Sequence, residues 1–137
     1  MNKGDMITIA DTQVDGNSPT DHLIKLGEYI WEHQPEYLIH IGDHWDFPSL
    51  STYATGLDRE GLRLYDLEAG FSAFKHIMAY VDERNRLSKR VPYTPKKHFV
   101  MGNHENRLKR FIDERPVLHG CFDLDKFVSD QGWEVHQ

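Results

Sequence analysis

The sequence predicts an α/β fold in which helices flank a parallel sheet. Three short apolar runs of strand length alternate with three segments of helical length, in the order βαβαβα. This order is typical of parallel strands joined by right-handed crossovers. Polar residues follow each strand at once, at the edge of the sheet where α/β proteins bind their ligands.

The first half of the chain predicts two strands and one helix. Met6–Ala10 is an apolar run of strand length, and Asp21–Gln34 carries apolar residues at helical spacing until Pro35 ends the helix. Tyr37–Ile41 predicts the second strand. The loop over Gly42–Gly56 is rich in Asp, Pro, Ser and Thr, which makes it a candidate rim of a binding site.

The second half begins with a long predicted helix over Asp58–Lys89, in which Gly70 is a candidate break. Lys97–Met101 predicts the third strand and His104–Glu114 the third helix. A short apolar segment, Leu124–Val128, lies in the tail. The second and third strands are apolar along their length, which predicts burial on both faces of the sheet.

Composition limits the classes of protein to which the chain can belong. Its 137 residues suffice for a single domain, and the net charge of −6 argues against a scaffold that holds nucleic acid by bulk electrostatics. A phosphate substrate stays open, because a bound metal would supply positive charge. The single cysteine, Cys121, excludes an internal disulfide and is expected to be a small buried residue. With no signal-peptide pattern and no apolar run of membrane length, the expected location is the cytoplasm, or the host cytoplasm if the chain is viral.

Three polar clusters follow the three strands. Carboxylates, amides and imidazoles that converge at one sheet edge are the ligands of a hard or borderline divalent metal. The clusters are Asp11-Thr12-Gln13, Gly42-Asp43-His44-Trp45-Asp46 and Gly102-Asn103-His104-Glu105.

In this order the clusters resemble motifs one to three of the calcineurin-like metallophosphoesterases: Asp-x-His, Gly-Asp-x-x-Asp and Gly-Asn-His-Asp/Glu. Gln13 stands where the family usually has His, which is similar to the phage-type branch. The resemblance covers Ile7 to about Arg115 and implies the first half of a β-sandwich flanked by helices (α/β/β/α). The family's C-terminal His and Gly-His-x-His motifs are absent from these 137 residues. We therefore expect an incomplete domain over residues 1–137, completed by a longer chain, a separate C-terminal segment or another copy in a homo-oligomer.

The resemblance implies hydrolysis of phosphate mono- or diesters by two divalent metal ions. Asp11 would hold the first metal, Asp43 would bridge both, and Asn103 would hold the second. Gln13 would be a ligand or a neighbour of the first metal, and its amide oxygen favours Mn²⁺, with Mg²⁺, Fe and Zn²⁺ as alternatives. The substrate class stays open among nucleic-acid ends, cyclic nucleotides, phosphoproteins and small diesters.

Four further residues receive roles around these ligands. His104 would be the general acid for the leaving group, or would stabilise the phosphoryl charge. Glu105 would orient His104, and Asp46 would be a partner behind the ligands. Arg107 lies about one helical turn from His104 and could reach a substrate phosphate.

Each of these residues also has an interpretation without chemistry. Asp11 and Asp43 could cap turns, Asn103 could be a turn residue, and His104 could merely begin a helix. The shared position of all three clusters after strands favours the metal site. Around them, we expect a structural Asp46, a core His40, and Trp45 and Phe47 in the core or the cleft wall. His44 could face substrate or solvent, and solvent is favoured. His119 and His136 are the only histidines after the third cluster and could replace the missing ligands.

Two other classes of function compete with the enzyme. A shortened relative could act as a non-catalytic binding or inhibitory module, which would require a complex that survives metal removal. A remnant of an interrupted gene could be completed by a separately encoded segment.

Overall fold

Four parallel strands form one sheet in the order β1-β2-β3-β4. The structure is a computed structural model that describes residues 1–15, 19–47 and 62–137, with the backbone alone for residues 62–66. The strands are β1 (Asn2–Ile9), β2 (Pro35–His40), β3 (Lys96–Val100) and β4 (Glu134–His136). The predicted α/β fold with a parallel sheet is confirmed.

The described helices are α1 (Asp21–His33), α2 (Leu62–Leu87), α3 (Asn103–Asp113) and α4 (Leu124–Asp130), with a 3₁₀ turn at Pro116–Leu118. The first three agree with the predicted helices to within a few residues, and residues 58–61 of the predicted long helix lie outside the described part of the chain. Helix α4 covers the apolar segment Leu124–Val128, for which no helix was predicted. Among these helices, none combines the length and the apolar composition that a membrane span needs.

The fourth strand was not predicted. Its three residues include the exposed Glu134 and His136, so they carry no apolar pattern that would mark a strand. Its position beside β3 comes from α4, which returns the chain to the start of the sheet by a further parallel connection.

Among the described residues, the sheet is fully buried on one face only, so the predicted burial of the second and third strands on both faces is wrong. Ile9, His40 and Phe99 are neighbours across β1, β2 and β3 and are at most 5% exposed. On the opposite face, Ile39 of β2 and Val100 of β3 are only partly buried, and Met6 is 63% and Ile41 49% exposed. The strand order never reverses, and right-handed crossovers in a single direction place their helices on the same face.

The core lies between the buried face and the helices, and Trp45 is at its centre. The Trp45 ring stacks on Phe74 of α2 at 5.8 Å and meets Phe99 and Phe127 edge-on. Phe71 and Phe127 stack at 4.2 Å and join α2 to α4. Cys121, expected in the core, is exposed, because it lies in the irregular segment between the 3₁₀ turn and α4.

Helix α2 continues through Gly70, so the break considered there does not occur. Glycine is needed for packing, since a Cβ at this position would lie 1.8 Å from Nε1 of Trp45. The indole rests against the bare helix backbone and donates its N–H to the carbonyl of Leu67 at 3.2 Å.

We expect Gly70→Ala to lower the free energy of unfolding by about 1–3 kcal/mol, because the methyl group overlaps the buried indole. Helix propensity alone predicts the opposite sign, a gain of about 1 kcal/mol. Urea unfolding would measure the change, with the exposed Ser72→Ala on the same helix as control. A more stable Gly70→Ala chain would contradict the packing argument.

Candidate metal centre

The three polar clusters meet at the carboxyl edge of the sheet through direct hydrogen bonds. The backbone N–H of Gln13 donates to the carbonyl of Asp43 at 2.9 Å, which joins the first cluster to the second. The backbone N–H of His104 donates to Oδ1 of Asp43 at 2.8 Å, which joins the second cluster to the third. Asp43 is therefore bonded to both of the other clusters.

The first two loops extend the parallel pairing of β1 and β2 beyond the strands. Val14 forms an isolated bridge with Trp45, donating to the carbonyl of His44 at 2.6 Å and accepting from the N–H of Asp46 at 3.0 Å. The two paired residues, Val14 and Trp45, are buried, while Gln13 is exposed and Asp46 only partly buried.

Two glycines allow the second and third loops to touch. A Cβ at Gly42 would lie 2.4 Å from the nitrogen of Gly102, and a Cβ at Gly102 would lie 2.4 Å from the nitrogen and Oδ1 of Asp43. Any side chain at either position would push the second loop away from the start of α3. Glycine at both positions thus permits the approach that lets Asp43 bind the N-terminus of α3.

Glu105 holds this junction together from inside. Its carboxylate is 3% exposed and accepts four backbone N–H groups. Oε2 binds the amides of Gly102 at 2.9 Å and Asp43 at 2.8 Å, and Oε1 binds those of His44 at 2.7 Å and Trp45 at 3.1 Å. The bond to Gly102 is half of a capping box, and the other three tie α3 to the second loop.

A chain of hydrogen bonds links His40, Thr12 and His44 beneath the exposed ligand candidates. The backbone N–H of Gly42 donates to Nδ1 of His40 at 3.1 Å, so Nε2 of His40 carries the proton and donates to Oγ1 of Thr12 at 3.2 Å. The Thr12 hydroxyl then donates to Nδ1 of His44 at 2.6 Å, and Nε2 of His44 donates to the carbonyl of Gly70 at 2.9 Å. With both rings neutral, every ring nitrogen has a partner of the correct kind.

Burial keeps both rings neutral. Loss of solvation lowers the pKa of His40 to about 3, assisted by the neighbouring His44. Loss of solvation likewise lowers the pKa of His44 to about 4. The hydrogen bond to Gly70 raises this pKa, and His22 lowers it by a smaller amount. His40 is the core histidine that was predicted, whereas the prediction that His44 faces solvent is wrong. Sequence reasoning also missed Thr12, whose role depends on the two rings that flank it in space.

Four non-glycine residues in these loops have left-handed backbone conformations: Asp11 (φ 47°), Gln13 (φ 42°), Asp43 (φ 55°) and Phe47 (φ 49°). Each costs about 1–3 kcal/mol and persists only where surrounding contacts fix it. The neighbours of the first three are the partly buried Thr12 and the buried His44, whose hydrogen bond to each other helps to fix the strained backbone. Such strain is concentrated at functional sites in proteins.

The predicted metal ligands lie at the surface of this junction. Asp11, Gln13 and Asn103 are exposed, and Asp43 is partly buried. Their side chains offer carboxylate and amide oxygens, and Asp43 uses only Oδ1 in its bond to α3. This oxygen-rich donor set fits a hard cation such as Mg²⁺ or Mn²⁺. Asp11 and Asp43 are not part of any described group in which three His, Cys, Asp or Glu donors lie within 4.8 Å of one another.

His104 is oriented by Asp46 rather than by Glu105, whose carboxylate binds backbone amides. Nδ1 of His104 lies 3.0 Å from both the carbonyl and the Oδ1 of Asp46. Since both are acceptors, Nδ1 carries a proton and Nε2 is the ring nitrogen left for other partners. Arg107 donates from Nη1 to the same carbonyl at 2.9 Å, so it fixes Asp46 in place.

The two late histidines belong to different parts of the chain. His119 follows the 3₁₀ turn and is exposed, and His136 belongs to β4 and contacts His98 on β3. Both remain outside the hydrogen bonds described above.

Comparison with protein-family models, with curated proteins and with solved structures found no match for this chain. The resemblance to the metallophosphoesterases therefore rests on the three sequence motifs alone.

We expect Glu105→Gln to lower the free energy of unfolding by about 3 kcal/mol. The amide group would turn a donor toward two of the four backbone N–H groups and leave them buried without an acceptor. Urea unfolding would measure the loss, with the exposed Glu68→Gln on α2 as the matched control. Equal stability of the two variants would show that the four bonds contribute little.

The buried histidines predict a loss of stability in mild acid. Their pKa values are lowered by folding, so the unfolded chain binds more protons as pH falls below the ordinary value of 6.5. Stability is therefore complete above that pH and declines down to the folded values, by about 1 kcal/mol per histidine between about pH 6 and about pH 5.

Urea unfolding at several pH values would measure this slope. We expect His40→Gln to remove about half of it and the exposed His119→Asn to leave it unchanged. A His40→Gln slope equal to that of the unaltered chain would contradict the assignment.

Proposed function

We propose that this chain carries the metal-binding half of a phosphoesterase centre and hydrolyses phosphate mono- or diesters when that centre is complete. The observation that carries the proposal is Asp43, whose hydrogen bonds join the first and third clusters at one sheet edge. The strained backbones of Asp11, Gln13 and Asp43 support it, because turns without a ligand could use glycine at lower cost.

The residues of the proposed centre have two roles, because some would ligate the metal ions and others would contact the substrate. Asp11, Gln13, Asp43 and Asn103 would hold divalent ions, with Mn²⁺ or Mg²⁺ preferred by their oxygen atoms. Bound ions would supply positive charge for the phosphoryl group and would lower the pKa of a bound water.

His104 would serve the leaving group. Because Asp46 occupies Nδ1, the proton that a charged ring gives up to the departing oxygen would come from Nε2. Arg107 is held against Asp46 through Nη1, and its remaining guanidinium donors would be available to a substrate phosphate.

Where the purified chain completes the centre, for instance as a homo-oligomer, we expect Mn²⁺-dependent hydrolysis of an aryl phosphodiester that is lost in Asp43→Asn. Asparagine keeps an acceptor for the N–H of His104 but removes the charge that a bridging ligand needs. The control is Asp113→Asn, an exposed carboxylate at the end of α3. Turnover that is equal in both variants would contradict the proposal.

Metal binding separates a failed proposal from an incomplete centre. Mn²⁺ is paramagnetic and should broaden the backbone signals of residues 11, 43 and 103 in an NMR spectrum before those of other residues. Broadening without turnover would mean that metal binds at an incomplete centre. If these signals are not broadened selectively, the metal-binding part of the proposal is wrong as well.

A protein-binding role is the second candidate, and the open face of the sheet favours it. Met6 and Ile41 expose apolar side chains there, which is typical of a surface that associates. Such a role would give a complex that survives removal of metal by a chelator, whereas the phosphoesterase activity would not survive it.

A further inference from the structure

A second group of ligand-type side chains lies on the open face of the sheet. His98 of β3 is the direct neighbour of Glu134 on β4, and His136 follows two residues later on the same face. Parallel pairing in this register brings two imidazoles and a carboxylate together at the outer edge of the sheet. None of the three belongs to the clusters at the strand ends.

The three donor groups are already close together. Nδ1 of His98 lies 3.1 Å from Nε2 of His136 and 3.5 Å from Oε2 of Glu134. Nε2 of His136 lies 3.7 Å from Oε1 of Glu134. Among the described residues, this is the one group of three such donors within 4.8 Å of one another.

These separations match those of a tetrahedral metal site. Bonds of about 2.0–2.1 Å to a tetrahedral Zn²⁺ place neighbouring ligand atoms about 3.3 Å apart. The shortest approach within each pair lies within about 0.4 Å of this value, with Oε2 of Glu134 nearest His98 and Oε1 nearest His136. Without a metal, the two imidazole nitrogens can share only one proton, whereas a cation satisfies both lone pairs and the carboxylate together.

The group combines a fixed ligand with accessible ones. The His98 side chain is 27% exposed, and its ring stacks on Tyr37 of β2 with centroids 6.3 Å apart. The side chains of Glu134 and His136 are 66% and 44% exposed, so an ion can reach them from solvent. The fourth position of a tetrahedral ion would face outward, where water or another ligand could occupy it.

We infer that His98, Glu134 and His136 form a binding site for a borderline divalent cation, with Zn²⁺ as the expected ion. Two imidazoles and one carboxylate suit Zn²⁺, Cu²⁺ or Ni²⁺, in contrast to the oxygen donors of Asp11, Gln13, Asp43 and Asn103. The ion would bind His98 through Nδ1 and His136 through Nε2, and would clamp β4 to β3. This site is independent of the proposed phosphoesterase centre.

Calorimetric titration with Zn²⁺ of the whole chain and of three single variants tests the site. We expect His98→Asn and His136→Asn each to weaken one equivalent of Zn²⁺ binding by about 100-fold or more. His119→Asn removes an exposed histidine outside the group and should leave that equivalent unchanged.

The ring nitrogens identify the site directly. Long-range ¹H–¹⁵N spectra with and without Zn²⁺ should show shifts at Nδ1 of His98 and Nε2 of His136, because these atoms would bond the ion. If His98→Asn and His136→Asn both bind Zn²⁺ with an affinity within about twofold of that of the unaltered chain, the inference is overturned. Shifts confined to other histidines would overturn it as well. Neither readout depends on hydrolysis or on Mn²⁺.

Discussion

The candidate centre depends on one buried carboxylate. Residues 43–45 form no helix or strand, so their amides need an acceptor from elsewhere in the chain, and Glu105 supplies it. The same carboxylate holds the first turn of α3, so the second and third clusters move as one body. Asp43 can then bond the first cluster through its carbonyl and the third through its side chain.

Sequence patterns predicted three of the four strands and the three clusters, because apolar runs followed by polar residues are local signals. The contacts that fix the clusters could not be predicted in this way. Spacing predicts that Glu105 caps its own helix, but nothing local shows that the second loop lies within its reach. Apolar side chains usually face the core and polar ones the solvent, but the reverse holds around His40. This histidine is buried, whereas its neighbours Ile39 and Ile41 lie on the open face.

The centre and its support are built from neighbouring residues of the same loops. Thr12, His44 and Trp45 point into the core, where hydrogen bonds and aromatic packing fix them. Asp11, Gln13 and Asp43 stand between or beside them and are at least partly exposed. The packed residues thus fix the backbone from which the exposed ligand side chains extend, and in this way they preorganise the site.

At the left-handed positions of the loops, the replacement that would stabilise the fold is also the one that would remove a ligand side chain. Glycine adopts such backbones without the steric penalty of a side chain, so at positions 11 and 13 it would relieve strain while deleting a donor. Laboratory selection that ranks variants by melting temperature alone would therefore favour these replacements. A protein that keeps Asp at position 11 and Gln at position 13 has a less stable fold than one with glycine there. Conservation of Asp and Gln in homologous sequences would therefore indicate selection for the side chains themselves.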